Sequence, residues 1–178
     1  MKNAIVLIFI CLVIMLSCGK DDLPTCENCN FTCLDDIETD VLSEECIDEW
    51  DCSFKVFGQS EVDITEREGI GAGDKIVFQM NNSTEGAMEI ADDEYTNILV
   101  FELDASRTSF SAEDEQLKNL NMHYREICFC LDTEFKEISS GCIQGERQSD
   151  GTWFVQGSLI VPNASGDFTV NLEALFLN

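Results

Sequence analysis

The residues of this 178-residue chain with the most chemical potential are its cysteines, its single histidine and its carboxylates. Ten cysteines are present, and eight of them, Cys26, Cys29, Cys33, Cys46, Cys52, Cys128, Cys130 and Cys142, lie beyond residue 25. An even set in an exported chain predicts disulfides. Cys26-x-x-Cys29 also matches a zinc spacing, but thiolate zinc sites belong mainly to reducing compartments, and His123 is too distant to complete a mixed site. Metal and cofactor are therefore expected to be absent.

Nucleophilic catalysis has little material. A serine triad would have to recruit His123, and no Gly-x-Ser-x-Gly elbow accompanies it. His123 sits in Met122-His123-Tyr124-Arg125, which reads as a strand, so a surface or partly buried strand histidine is expected. Paired acids occur at Asp92-Asp93-Glu94 and Glu113-Asp114-Glu115. Glycosidase chemistry needs two carboxyls at a set spacing with one pKa raised, which sequence alone does not specify. These turns also offer hard oxygen ligands for calcium, although no Asp-x-Asp-x-Asp-Gly loop is present. Gly69-Ile-Gly71-Ala-Gly73 lacks the following helix of a phosphate cradle and reads as a flexible turn. No catalytic residue is assigned.

The elements that hold these residues read mainly as strands. Phe54–Phe57, Glu61–Thr65, Lys75–Met80, Thr96–Leu103, Asn121–Leu131 and Cys142–Gln148 are rich in Val, Ile and Phe and separated by turn residues. The clearest patterns are at the C-terminal end. Trp153, Val155, Gly157, Leu159 and Val161 form one face of a strand, and Phe168, Val170, Leu172, Ala174 and Phe176 one face of the next. Trp153 is thus expected in the core. Asp150-Gly151 predicts a type I′ hairpin turn. Residues 111–120 predict a short helix capped by Ser111, with acids early and Lys118 late. A weak helical pattern touches Leu34, Ile37 and Val41, and Trp50 reads as cover for the nearby cysteines. The fold class expected is all-β, an antiparallel sandwich or barrel with a disulfide-rich N-terminal module and one short helix.

The cysteines add a long-range constraint. Five lie within 26–52 and three beyond residue 127, so complete internal pairing requires a bridge between the groups. A hairpin centred near Lys136 would set Cys130 opposite Cys142 and send Cys128 to Cys46 or Cys52. The alternative joins Cys142 to the module.

The first residues state a destination. Lys2 precedes the apolar run Ala4–Leu16, which is shorter than the about 20 residues of a membrane-spanning helix. Met15-Leu16-Ser17-Cys18-Gly19 resembles the lipobox of bacterial lipoproteins, and Lys20-Asp21-Asp22 resembles the charged export tetrad of Bacteroidetes-type surface lipoproteins. The resemblance covers residues 1–22 and implies cleavage before Cys18, lipidation of Cys18 with fatty acids such as palmitate, and display on the outer membrane facing the cell exterior. The expected division is a signal at 1–17, a tether at 18–25, a cysteine-rich module at 26–52 and an all-β domain at 53–178. Two or more acyl chains give stable anchoring without a spanning helix.

Charge narrows the partners. Thirty-five acidic residues against ten basic ones give a net charge of −25, and loss of Lys2 makes it more negative. Such a chain repels phosphate backbones, which excludes nucleic acid. Expected partners are the membrane, through the lipid anchor, and an outer-membrane protein complex or a glycan. The function expected is a non-enzymatic binding or accessory module. The rivals are a surface hydrolase using carboxylates, or an acidic inhibitor or immunity-type protein that steers a basic partner.

Overall fold

The computed structural model describes residues 41–42, 50–84, 95–128 and 133–178. The signal, the tether and most of the cysteine-rich segment lie outside these residues, as do Cys26, Cys29, Cys33, Cys46, Cys130, the Asp92-Asp93-Glu94 cluster, and Leu34 and Ile37 of the weak helical pattern.

The fold is all-β, with two five-stranded sheets packed face to face. β1 (Val41–Leu42), β10 (Phe168–Phe176), β9 (Trp153–Val161), β8 (Gly141–Arg147) and β5 (Ser109–Glu113) form the first sheet in that order. β2 (Trp50–Val62), β3 (Ile70–Thr84), β4 (Thr96–Asp104), β6 (His123–Ile127) and β7 (Lys136–Glu137) form the second. Neighbours are antiparallel except β1 on β10. Val41 is therefore a strand residue, paired with Asn171, and not part of a helix. β2 starts at Trp50 and contains Cys52, so the boundary drawn after residue 52 falls inside a strand.

The alternation in β9 and β10 appears as expected. Trp153, Val155, Leu159 and Val161 are buried, as are Val170, Leu172, Ala174 and Phe176. Facing them, Phe78 of β3 stacks on Phe101 of β4, with ring centroids 4.6 Å apart. The edges of Trp153 and Phe176 meet Phe78 at 5.2 Å and 5.6 Å. Offset and edge-on ring contacts of this kind add to area burial. At one corner the sheets join, because Leu177 exchanges backbone hydrogen bonds with Phe54 and Val56 of β2.

Three expected elements change. The paired hairpin of 121–131 and 142–148 does not form: β6 lies in the second sheet against β4 and β7, and β8 lies in the first between β5 and β9. That removes the geometric basis for setting Cys130 opposite Cys142. Ser111 does not cap a helix. It belongs to β5, and a 3₁₀ helix runs from Asp114 to Leu120, with the Glu113 N–H donating to Gln116 Oε1 at 3.2 Å. Leu117 and Leu120 plug the core from it. At Asp150-Gly151 the turn has three residues. Gly151 N–H donates to Gln148 O, Gln148 N–H donates to Thr152 O, and only Gly151 has positive φ, at 93°. That is a type I turn closed by a left-handed glycine, not type I′.

The glycine-rich stretch also differs from a flexible turn. Gly71 and Gly73 lie in β3, where a side chain on Gly73 would meet the Ser60 carbonyl oxygen at 2.8 Å and Glu61 Cβ at 2.7 Å. The register shifts around Ser60, and the hairpin bends there. Its tip folds back over the second sheet, and Gln79 Nε2 donates to the Glu68 carbonyl at 2.9 Å. Glu61–Thr65 is consequently strand only to Val62.

Candidate binding face

The bent hairpin decides which outer surface is open. Val77, Ile98 and Val100 point away from the inter-sheet core, yet they are buried. Arg125 ties the covering segments together, donating through Nε to Thr133 O at 2.6 Å and through a terminal NH to Arg67 O at 3.1 Å, while lying over the Phe135 ring. Glu102 is buried beneath, ion-paired to Lys75 and accepting the Val62 N–H at 2.7 Å. The Glu102 hydrogen bond holds the Lys75 ammonium above its usual pKa. Both groups serve the bend, and neither is left for chemistry.

The first sheet presents the other face. Its register stacks outward side chains in rows across β8, β9 and β10. Glu146, Phe154 and Leu175 form one row, and Gln144, Gln156 and Glu173 the next. A third contains Cys142, Ser158 and Asn171. Cys142 and Ser111 are fully buried, so the face is covered toward β5 and opens toward β9, where Ile160 is 41% exposed.

Between the first two rows is a hollow of about 280 Å³, lined by Gln144, Gly145, Glu146, Phe154 and Gln156. Gln144 Nε2 donates to Gln156 Oε1 at 3.2 Å, and Gln156 Nε2 donates to Glu173 Oε2 at 3.1 Å. Both bonds run in one direction, so the carboxylate terminates the chain and fixes both amide planes. The lining offers a flat ring, amide donors and acceptors, and carboxylate oxygens, and its described residues include no cation.

The residues considered for catalysis are placed elsewhere. His123 is a partly buried strand residue, as expected, with Nδ1 3.1 Å from the Asn121 carbonyl. Asp114 accepts the Gly141 N–H, and Glu115 pairs with Lys118. Among the described residues no three acidic, cysteine or histidine side chains converge on a metal position. Burial, together with its hydrogen bond to Glu126 at 2.6 Å, pushes the Tyr95 phenol far above its ordinary pKa; burial does the same to Tyr124. Neither supplies a phenolate. Trp153 is in the core as expected, and Trp50 opens β2.

Cys52, Cys128 and Cys142 are disulfide-bonded. In register with Cys52 lies the fully buried Asn82, and beside it Asn97; both have amide oxygens without a hydrogen-bond partner. Each such group costs about 1–3 kcal/mol when desolvated.

The Gln144–Gln156–Glu173 row is the feature that sequence reasoning missed. Its signal was the polar half of the alternating Trp153–Val161 strand, but only the register of β8 and β10 brings the other members beside it. Comparison with known proteins finds no matching family model, no similar curated protein and no similar solved structure.

Proposed function

We propose that this chain is an outer-membrane lipoprotein, anchored through lipidated Cys18 and facing the cell exterior, whose all-β domain is a non-enzymatic binding or accessory module for a protein or glycan partner. One observation carries the binding reading: the outer face of the first sheet holds an ordered aromatic and amide array, while among the described ionisable candidates Asp114, Glu115 and Glu102 are engaged in a turn and in ion pairs. The anchor rests on the residues around Cys18 and on Lys20, Asp21 and Asp22. The eight-cysteine framework belongs to the same reading. Three bonded cysteines, Cys52, Cys128 and Cys142, cannot close among themselves, so at least one of them pairs with a cysteine outside the described residues.

Replacing Cys18 with alanine is expected to abolish palmitate labelling and release the protein from the membrane fraction. Replacing Lys20, Asp21 and Asp22 with alanine should preserve labelling but reduce protease access on whole cells. Membrane retention of the unlabelled Cys18→Ala variant would overturn the anchor, and unchanged access in the triple variant would overturn the export signal.

A further inference from the structure

We propose that the hollow beside Phe154 and Gln156 binds a neutral saccharide, a pyranose ring of an uncharged polysaccharide. This rests on the binding-module reading and names its ligand. A hydroxyl both donates and accepts, whereas phosphate and sulfate need donors and a guanidinium or ammonium needs acceptors. The Gln144–Gln156–Glu173 row provides both kinds. Gln156 uses one N–H on Glu173 and accepts from Gln144 on Oε1, which leaves a second N–H and a further lone pair. Glu173 engages one carboxylate oxygen in the row.

Phe154 adds the second requirement. It is half-buried between Glu146 on β8 and Leu175 on β10 and borders the amide row. An apolar ring beside in-plane amides suits the C–H face and the equatorial hydroxyls of a pyranose. Charge removes the acidic sugars. The described lining residues include no cation, Glu146 and Glu173 border the site, and the whole chain carries −25. The hollow, at about 280 Å³, lies at the small end of ligand pockets and suits a short stretch of a longer chain bound along the sheet. A basic peptide would use Glu146, Glu173 and the ring, but would leave the second Gln156 N–H unpaired.

The test is affinity electrophoresis of the full-length protein in a zwitterionic detergent, because alkyl glycosides carry sugar themselves. Gels would contain amylopectin, laminarin, mannan or xylan as neutral probes and heparin as the anionic one, with nona-arginine titrated separately. At least one neutral polysaccharide should retard the protein and heparin should not. Phe154→Ala and Gln156→Ala should each weaken retardation by roughly tenfold or more, the loss expected of a central contact. Phe154→Tyr should retain it and Phe154→Leu should not. Thermal unfolding of each variant identifies any that fail to fold, and Gln156→Ala with Phe154→Leu then decides.

Absence of retardation by all four neutral probes overturns the proposal, as does retardation unchanged in the Phe154 and Gln156 variants. Binding of nona-arginine that is lost in Glu146→Gln or Glu173→Gln, with no polysaccharide bound, also overturns it in favour of a basic peptide. The parent reading fails differently. Surface display that persists without saccharide binding leaves that reading intact, whereas new reducing ends from a bound polysaccharide would overturn its non-enzymatic part.

Discussion

Two aspartates show how single residues here are used for local order. Asp63 Oδ1 accepts the Thr65 N–H at 2.9 Å and the Thr65 hydroxyl at 2.6 Å, and Asp150 does the same for Thr152 at 3.0 Å and 2.7 Å. The threonine hydroxyl and amide hold both carboxyls below their ordinary pKa of 3.8. A lowered folded pKa means that the stabilisation is fully present above 3.8 and is lost as pH falls through the lower folded value. The double variant Asp63→Asn, Asp150→Asn keeps neutral acceptors but removes the titration. Its unfolding midpoint should fall below wild type near neutrality and converge with it as the pH drops below 3.8. A gap that stays constant into acid would show that these carboxylates do not hold their turns through charge.

Among the elements, β9 and β10 were the most legible, because each has one face in the core and one in solvent, and a period of two reports that asymmetry directly. β4 was legible for a different reason: Ile98 to Phe101 is a continuous apolar run, as befits a strand buried on both sides. β5 was not. Ser111, Glu113, Asp114 and Glu115 carry a helix-start signal, and pairing with β8 overrides it until Asp114. In sequence the glycine-rich start of β3 reads as a flexible turn, because small residues look the same in a turn and in a tight bend. Here close approach is the requirement. Gly73→Ala places Cβ against the Ser60 backbone and should destabilise by about 1–3 kcal/mol. Gly58 on the opposing strand has nothing within 4 Å of its would-be Cβ, and Gly58→Ala should be neutral within about 0.5 kcal/mol. Urea denaturation compares them, and equal effects at both positions would sink the account of the bend. The Gln144–Gln156–Glu173 row was illegible for a related reason: its members are polar residues on three strands, and only register makes them neighbours.

At the scale of the whole molecule, the dominant physical fact is charge. The chain carries 35 acids against ten bases, and the ion pairs among the described residues include Lys75–Glu102 and Glu115–Lys118. Attraction within those pairs is far too local to offset repulsion summed over the surface, which opposes the compact state at low ionic strength. The Debye length falls from about 30 Å at 0.01 M salt to about 10 Å at 0.1 M, so added salt should screen the repulsion across the domain while the buried Glu102 pair changes little. The thermal midpoint is therefore expected to rise between 0.01 M and 0.3 M KCl, with most of the gain below about 0.1 M. Lowering the pH from 7 toward 5 should act in the same direction, since it begins to neutralise carboxylates before the Asp63 and Asp150 turns lose theirs. Repeating the titration with CaCl₂ at matched ionic strength separates screening from binding. Equal midpoints mean screening alone, and a larger rise with calcium identifies a site on the acidic surface. A midpoint that falls or stays flat in KCl would mean that the acids are already compensated, and the repulsive picture of this domain would have to be abandoned.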